Sequence, residues 1–125
     1  MRDWIARSFT YAAGTSDTGT TAIDSFLARR GVCRDYAHVL VALARAADFP
    51  ARVVSAYAPR VEPQDFHAVA EVFVGGDWHL IDPTGMACAG ELIKIAAGRD
   101  AADISFLTAY GEAQLVDQRV SVKAA

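Results

Sequence analysis

The apolar residues of this chain change their period at Pro50. From Cys33 to about Ala47, the residues Ala37, Leu40, Val41, Ala44 and Ala47 recur at three- and four-residue steps, the spacing of a heavily buried helical face. Beyond Phe49-Pro50 the step becomes two: "ARVVSAYA" (51–58), "FHAVAEVFV" (66–74) and "DWHLID" (77–82) read as strands. Gly75-Gly76 separates the last two, and a glycine pair suits the two positive φ angles of a type I′ hairpin turn. Helices first and strands after predict an α+β fold: N-terminal helices and a central Cys-bearing helix packed on an antiparallel β-sheet.

The flanking segments are read the same way. Trp4, Ile5 and Phe9 suggest an amphipathic helix over 2–10, and "GTSDTGTT" (14–21) a polar loop. A second helix starts at Thr20 or Thr21, where a hydroxyl can cap it, and runs through Ile23, Phe26 and Leu27. Gly31 is expected to end it in the left-handed conformation that glycine adopts most cheaply. After the hairpin, "ELIKIAAG" (91–98) is a candidate strand, "RDAAD" (99–103) a short helical turn and "AQLVDQRVSV" (113–122) a last strand. The 125 residues suggest one domain spanning 1–125.

Composition narrows the function classes. With 53% hydrophobic and 22% charged residues the chain has the makings of a core. A net charge of −3, with no basic cluster larger than a pair such as Arg29-Arg30, argues against a nucleic-acid partner. Apolar runs fall short of the roughly 20 residues that a membrane span requires. The start, "MRDWIARSFTYAAG", lacks the apolar core of a secretory signal, so a soluble, cytoplasmic protein is expected. Cys33 and Cys88 are the only cysteines, too few for a disulfide framework and without zinc-ligand spacing. No cofactor is implied.

Cys33 opens its helix, and that position favours chemistry. A thiol attacks as its thiolate, which the positive end of a helix dipole stabilises. The first-turn N–H groups can also hold the oxyanion of a tetrahedral intermediate. The hairpin supplies partners. With Gly75-Gly76 as the turn, Val74 faces Asp77, Phe73 faces Trp78, Glu71 faces Leu80, Val69 faces Asp82 and His67 faces Thr84. His67 and Asp82 then lie on one face as diagonal neighbours, with Cβ atoms about 7 Å apart, and a one-residue slip would separate them. By residue type alone each has a plainer reading: a structural cysteine, a half-buried strand histidine, an aspartate making a turn before Pro83. His38 and His79 are read as structural, and Arg34 and Asp35 as serving the helix terminus.

Taken together, "GVCRDYAHVLVALARAADFPARVVSAY" (31–57) and "FHAVAEVFVGGDWHLIDPTG" (66–85) resemble the core domain of the bacterial transglutaminase-like superfamily, within the papain-like fold. The resemblance extends from "RDWIARSFTY" to "GRDAADISFLTAYG". It implies a catalytic set in which Cys33 is the nucleophile, His67 the base and Asp82 the orienting carboxylate. It also implies no metal, no cofactor and a peptide or protein substrate. Two departures stand out. Val69 occupies a place where many members carry an aromatic, and the chain is expected to lack the N-terminal β-domain of many bacterial relatives.

The leading expectation is therefore acyl transfer through a thioester at Cys33, by hydrolysis (protease or amidase) or by transglutaminase cross-linking, with hydrolysis preferred. A non-catalytic binding or scaffold domain is the alternative. A metal-site hydrolase is a third reading, because thiolate, imidazole and carboxylate are also ligand types.

Overall fold

A computed structural model describes residues 1–105 and 107–123 of the chain. The elements in order are α1 (Arg2–Ser8), β1 (Thr10–Tyr11), α2 (Ala22–Ala28), β2 (Arg30–Gly31), α3 (Cys33–Ala46), β3 (Ala51–Tyr57), β4 (Phe66–Val74), β5 (Asp77–Ile81) and β6 (Ile93–Gly98). Single 3-10 turns lie at Ala89–Glu91 and Ala101–Ile104. The main sheet is antiparallel with strand order β5-β4-β3-β6, as the α+β reading requires.

The helix α3 is apolar on more than one side because it is the middle layer. Tyr36, Ala37, Val39, Leu40, Val41 and Ala44 are all buried. They pack against Ile5 and Phe9 from the α1 segment and against Ala51, Val53, Ala70 and Val72 from the sheet. Small residues at 37 and 44 let the layers approach closely. Ala47, expected on the buried face, instead caps the helix at the surface. Arg45 then ties the helix end to the sheet by donating to the carbonyls of Ala51 and Arg99.

The hairpin has the expected register, with Val74 facing Asp77, Phe73 facing Trp78 and Glu71 facing Leu80. Both turn glycines have positive φ, 64° and 90°. The ladder ends at Ala70 facing Ile81, so Asp82 and Thr84 lie just past the strand and not in it. The chain from β5 to β6 joins the two edges of the sheet, and Val54, Ala56 and Val69 are buried with Leu80 and Leu92. Val69, the small residue at an often aromatic place, is itself fully buried.

Three local expectations are corrected. The first helix stops at Ser8, because Thr10 and Tyr11 pair in parallel with Arg30 and Gly31. The left-handed residue that ends α2 is Arg29 (φ 56°), whose guanidinium lies over the rings of Trp4 and Phe26. Gly31 serves a different need: a Cβ there would lie 2.5 Å from Asp35 Oδ2 and 2.6 Å from Asp35 Cβ. The segment 113–122 forms no strand. The Gln64 side-chain amide holds it instead, donating to the Val122 carbonyl (2.6 Å) and accepting from the Val122 N–H (3.0 Å), and Gln118 donates to Asp65.

Candidate active site

Cys33 is the first residue of α3, half-buried, with a free thiol. The helix start is built around Asp35. Its carboxylate accepts the Val32 N–H at 2.8 Å and the Ser16 hydroxyl at 2.5 Å, while Arg34 approaches at 3.7 Å. Arg34 in turn donates to the Ser16 hydroxyl and the Asp17 carbonyl, closing the 14–21 loop over the helix terminus. Both residues thus serve the helix start, in line with the sequence reading.

His67 lies in β4 and is 2% exposed, as is Asp82. The two meet through His67 Nε2 and Asp82 Oδ2 at 2.9 Å. That contact leaves Nδ1 as the ring nitrogen available to the thiol, with which the imidazole also shares a hydrogen bond. Asp82 is held by four donors. Oδ1 accepts the Thr84 N–H (2.9 Å) and hydroxyl (2.7 Å), and Oδ2 accepts the Ala87 N–H (2.9 Å) beside His67. Its own carbonyl closes a turn with the Gly85 N–H and accepts from Arg2 Nε of α1. This aspartate both makes a turn and binds the histidine.

The sulfur has further neighbours. In β4 the Phe73 N–H donates to Pro50 on the β3 side, so alternate residues, Ala68 among them, turn their N–H groups toward β5. β5 ends opposite Ala70, and the Ala68 N–H donates to Cys33 instead. The hydroxyl of Tyr11 also reaches the thiol. Tyr11 closes the "RDWIARSFTY" segment of the resemblance, which implies no role for it. It arrives through the parallel pairing of β1 with β2, which sets it beside Gly31.

The charges interlock. Burial raises the Cys33 thiol, but the hydrogen bond from His67, the Ala68 amide, the imidazolium charge and the Tyr11 hydroxyl together hold it below its usual 9.0. Burial lowers His67, yet its bonds to Asp82 and Cys33 carry it up to about 9. Burial raises Asp82, and His67 with Thr84 nevertheless keep it below the ordinary carboxylate value. A thiolate beside an imidazolium braced by a carboxylate is the charge state these shifts favour.

The other histidines lie elsewhere. His38 Nε2 accepts the Ala101 N–H (3.1 Å), and burial holds the ring below its ordinary value. His79 bonds the Val74 carbonyl at the surface. Gln64 is bonded to Val122, and Tyr36 lies in edge and tilted contact with Phe9 and Tyr11. Among the described residues no three His, Cys, Asp or Glu side chains are grouped to hold a metal ion. No helix among them is long and apolar enough to cross a membrane.

With this fold and this cysteine–histidine–aspartate cluster established, comparison with known proteins gives the class. The family model described as "Transglutaminase-like superfamily" matches residues 1–83, and the chain belongs to that superfamily. A crystal structure from Cytophaga hutchinsonii, described as a "putative cysteine protease", is 45% identical with a TM-score of 0.80 over 82% of this chain and 35% of that one. A structure described as a TGase shares the fold, with 22% identity and a TM-score of 0.55 over 67% of this chain and 24% of that one. Among curated proteins, an uncharacterized protein of Mycobacterium leprae is 30% identical over 82% of this chain, and one of Mycobacterium tuberculosis is 31% identical over 83%. The chain spans 39% of the length of each of these relatives.

Proposed function

We propose that this chain carries out cysteine-dependent acyl transfer on peptide or amide bonds through a thioester at Cys33, with water as the usual acceptor. The observation that carries the reading is the His67 ring, bonded at Nε2 to Asp82 and facing a lowered-pKa thiol at a helix N-terminus. In this reading the Cys33 thiolate adds to the substrate carbonyl, and His67 gives its proton to the leaving amine. His67 then takes a proton from the incoming water as the thioester is hydrolysed. Asp82 keeps the ring oriented and stabilises its protonated form. Membership of the transglutaminase-like superfamily supports the thiol chemistry, and the Cytophaga relative's description as a putative cysteine protease favours water over an amine acceptor.

The test is a peptide-and-amine substrate screen read by mass spectrometry, comparing wild type with Cys33→Ala. Hydrolysed peptides that vanish in the variant are expected. Amine-linked products would move the assignment to cross-linking, and identical profiles would indicate a binding domain. A thiol-directed electrophile supplies a second measure: Cys33 is expected to label faster than Cys88, and His67→Ala to abolish that advantage.

A further inference from the structure

The side chain of Gln64 bonds to main chain through both ends of its amide. Nε2 donates to the Pro59 carbonyl (3.1 Å) and the Val122 carbonyl (2.6 Å), and Oε1 accepts the Val122 N–H (3.0 Å). A donor and an acceptor aimed at one residue are what a neighbouring β-strand offers an extended peptide. The bonds to Val122 use no atom of its side chain, so any residue that keeps its N–H fits the same place. Gln118 adds a further contact, its amide donating to Asp65 (3.1 Å).

The segment so held has little else to anchor it. Within 113–123 only Val120 and Val122 are half-buried, and Leu115 and Val116 are 67% and 93% exposed. Apolar burial therefore contributes little to its seating. Its seat lies beside the candidate active site: three residues of chain, at most about 11 Å, separate Gln64 from His67. An extended peptide covers such a distance in about three or four residues.

We infer that Gln64 binds the backbone of an extended peptide substrate, and that the segment around Val122 holds this place and yields it when a substrate arrives; the inference rests on the acyl transfer proposed above. The amide gives the substrate the same pair of bonds that it gives Val122, Oε1 to an N–H and Nε2 to a carbonyl. Recognition of this kind reads main chain and not side chains, so it selects extended peptide of varied sequence. The exchange is close to balanced, because the two bonds broken to Val122 are made again to the substrate.

Two thioesters separate chain binding from thiol reactivity. One is an octapeptide of alanine and serine whose central link is a thioester; the other is S-methyl thioacetate, which has no peptide chain. With either, a new C–S bond forms at Cys33, the old one breaks, and the departing thiol takes the proton. The ratio of the two acylation rates, read from the adduct on Cys33 by mass spectrometry, cancels changes in the thiol itself. Val122→Pro removes the N–H that Oε1 accepts, and the ratio is expected to rise about fivefold. Gln64→Ala added to that variant is expected to lower the ratio about tenfold from the Val122→Pro value, since the substrate then loses two bonds. Gln64→Glu in its place, which keeps the size and the acceptor, is expected to lower it about threefold. Melting curves establish that each variant folds. A ratio unchanged or lowered by Val122→Pro overturns the inference, as do ratios that Gln64 substitutions leave at the Val122→Pro value, and both results leave acyl transfer at Cys33 standing. No adduct at Cys33 from either thioester in any of these proteins overturns both.

Discussion

The two oxygens of Asp82 have different tasks. Oδ1 accepts the N–H and the hydroxyl of Thr84, which fixes the carboxylate against rotation. Oδ2 is shared between the Ala87 N–H and the His67 ring. Asp82→Ala therefore strands several buried donors at once, and a loss of about 3 kcal/mol in urea-monitored unfolding is expected. The milder Asp82→Asn should bring the His67 titration, followed by NMR, down from about 9 toward its ordinary 6.5, because the bond to the carboxylate is the largest of the effects that raise it, ahead of Cys33. Gly31 makes a second prediction at this scale. A methyl group there meets Asp35 Cβ and carboxylate together, not the far end of a flexible chain. Gly31→Ala should cost about 2 kcal/mol in the same assay and displace Asp35 from the Val32 N–H.

Among the elements, α2 and the hairpin contrast in how much their local patterns reveal. The hairpin is settled by two adjacent glycines and a period of two, both local properties, and its register follows. In α2 the start is equally local: Thr21 accepts the Asp24 N–H, and the Asp24 carboxylate accepts the Thr21 N–H, a reciprocal capping box. Its buried face is not local. Ile23 and Leu27 are 71% and 74% exposed while Ser25 is buried, the reverse of what hydropathy suggests. Thr21→Ala is expected to destabilise the protein by about 1 kcal/mol. Leu27→Lys, a change that would be severe in a core, should shift stability by no more than about 0.5 kcal/mol in thermal or urea melts.

Over the whole molecule, the site joins three separated parts of the chain: Tyr11 and Cys33 near the helical layer, His67 on β4, and Asp82 past β5. Its charge state gives a pH signature. His67 is raised above its free value, so its protonated form stabilises the fold fully below about 6.5, and that contribution is lost as pH rises through about 9. Cys33 and Asp82 are lowered, so each contributes above its free value and loses that contribution as pH falls through its folded one. The stability advantage of wild type over His67→Ala should therefore shrink between about pH 6.5 and 9, measured by melting temperature across that range. A constant advantage would mean that the ring is not charged in the folded protein.

The sequence by itself determined the helix-then-strand order, the hairpin register and hence the closeness of His67 to Asp82. Each depends on residues within one turn or one pair of adjacent strands, where period and glycine chemistry act directly. Only the tertiary structure decided that Tyr11 reaches Cys33, that Gly31 yields to Asp35 and not to a left-handed turn, that Ile23 and Leu27 face outward, and that 113–122 is no strand. These outcomes depend on which distant segment is in contact. β1 exists because β2 is there to pair with it, and two-residue strands leave no periodic trace in the chain.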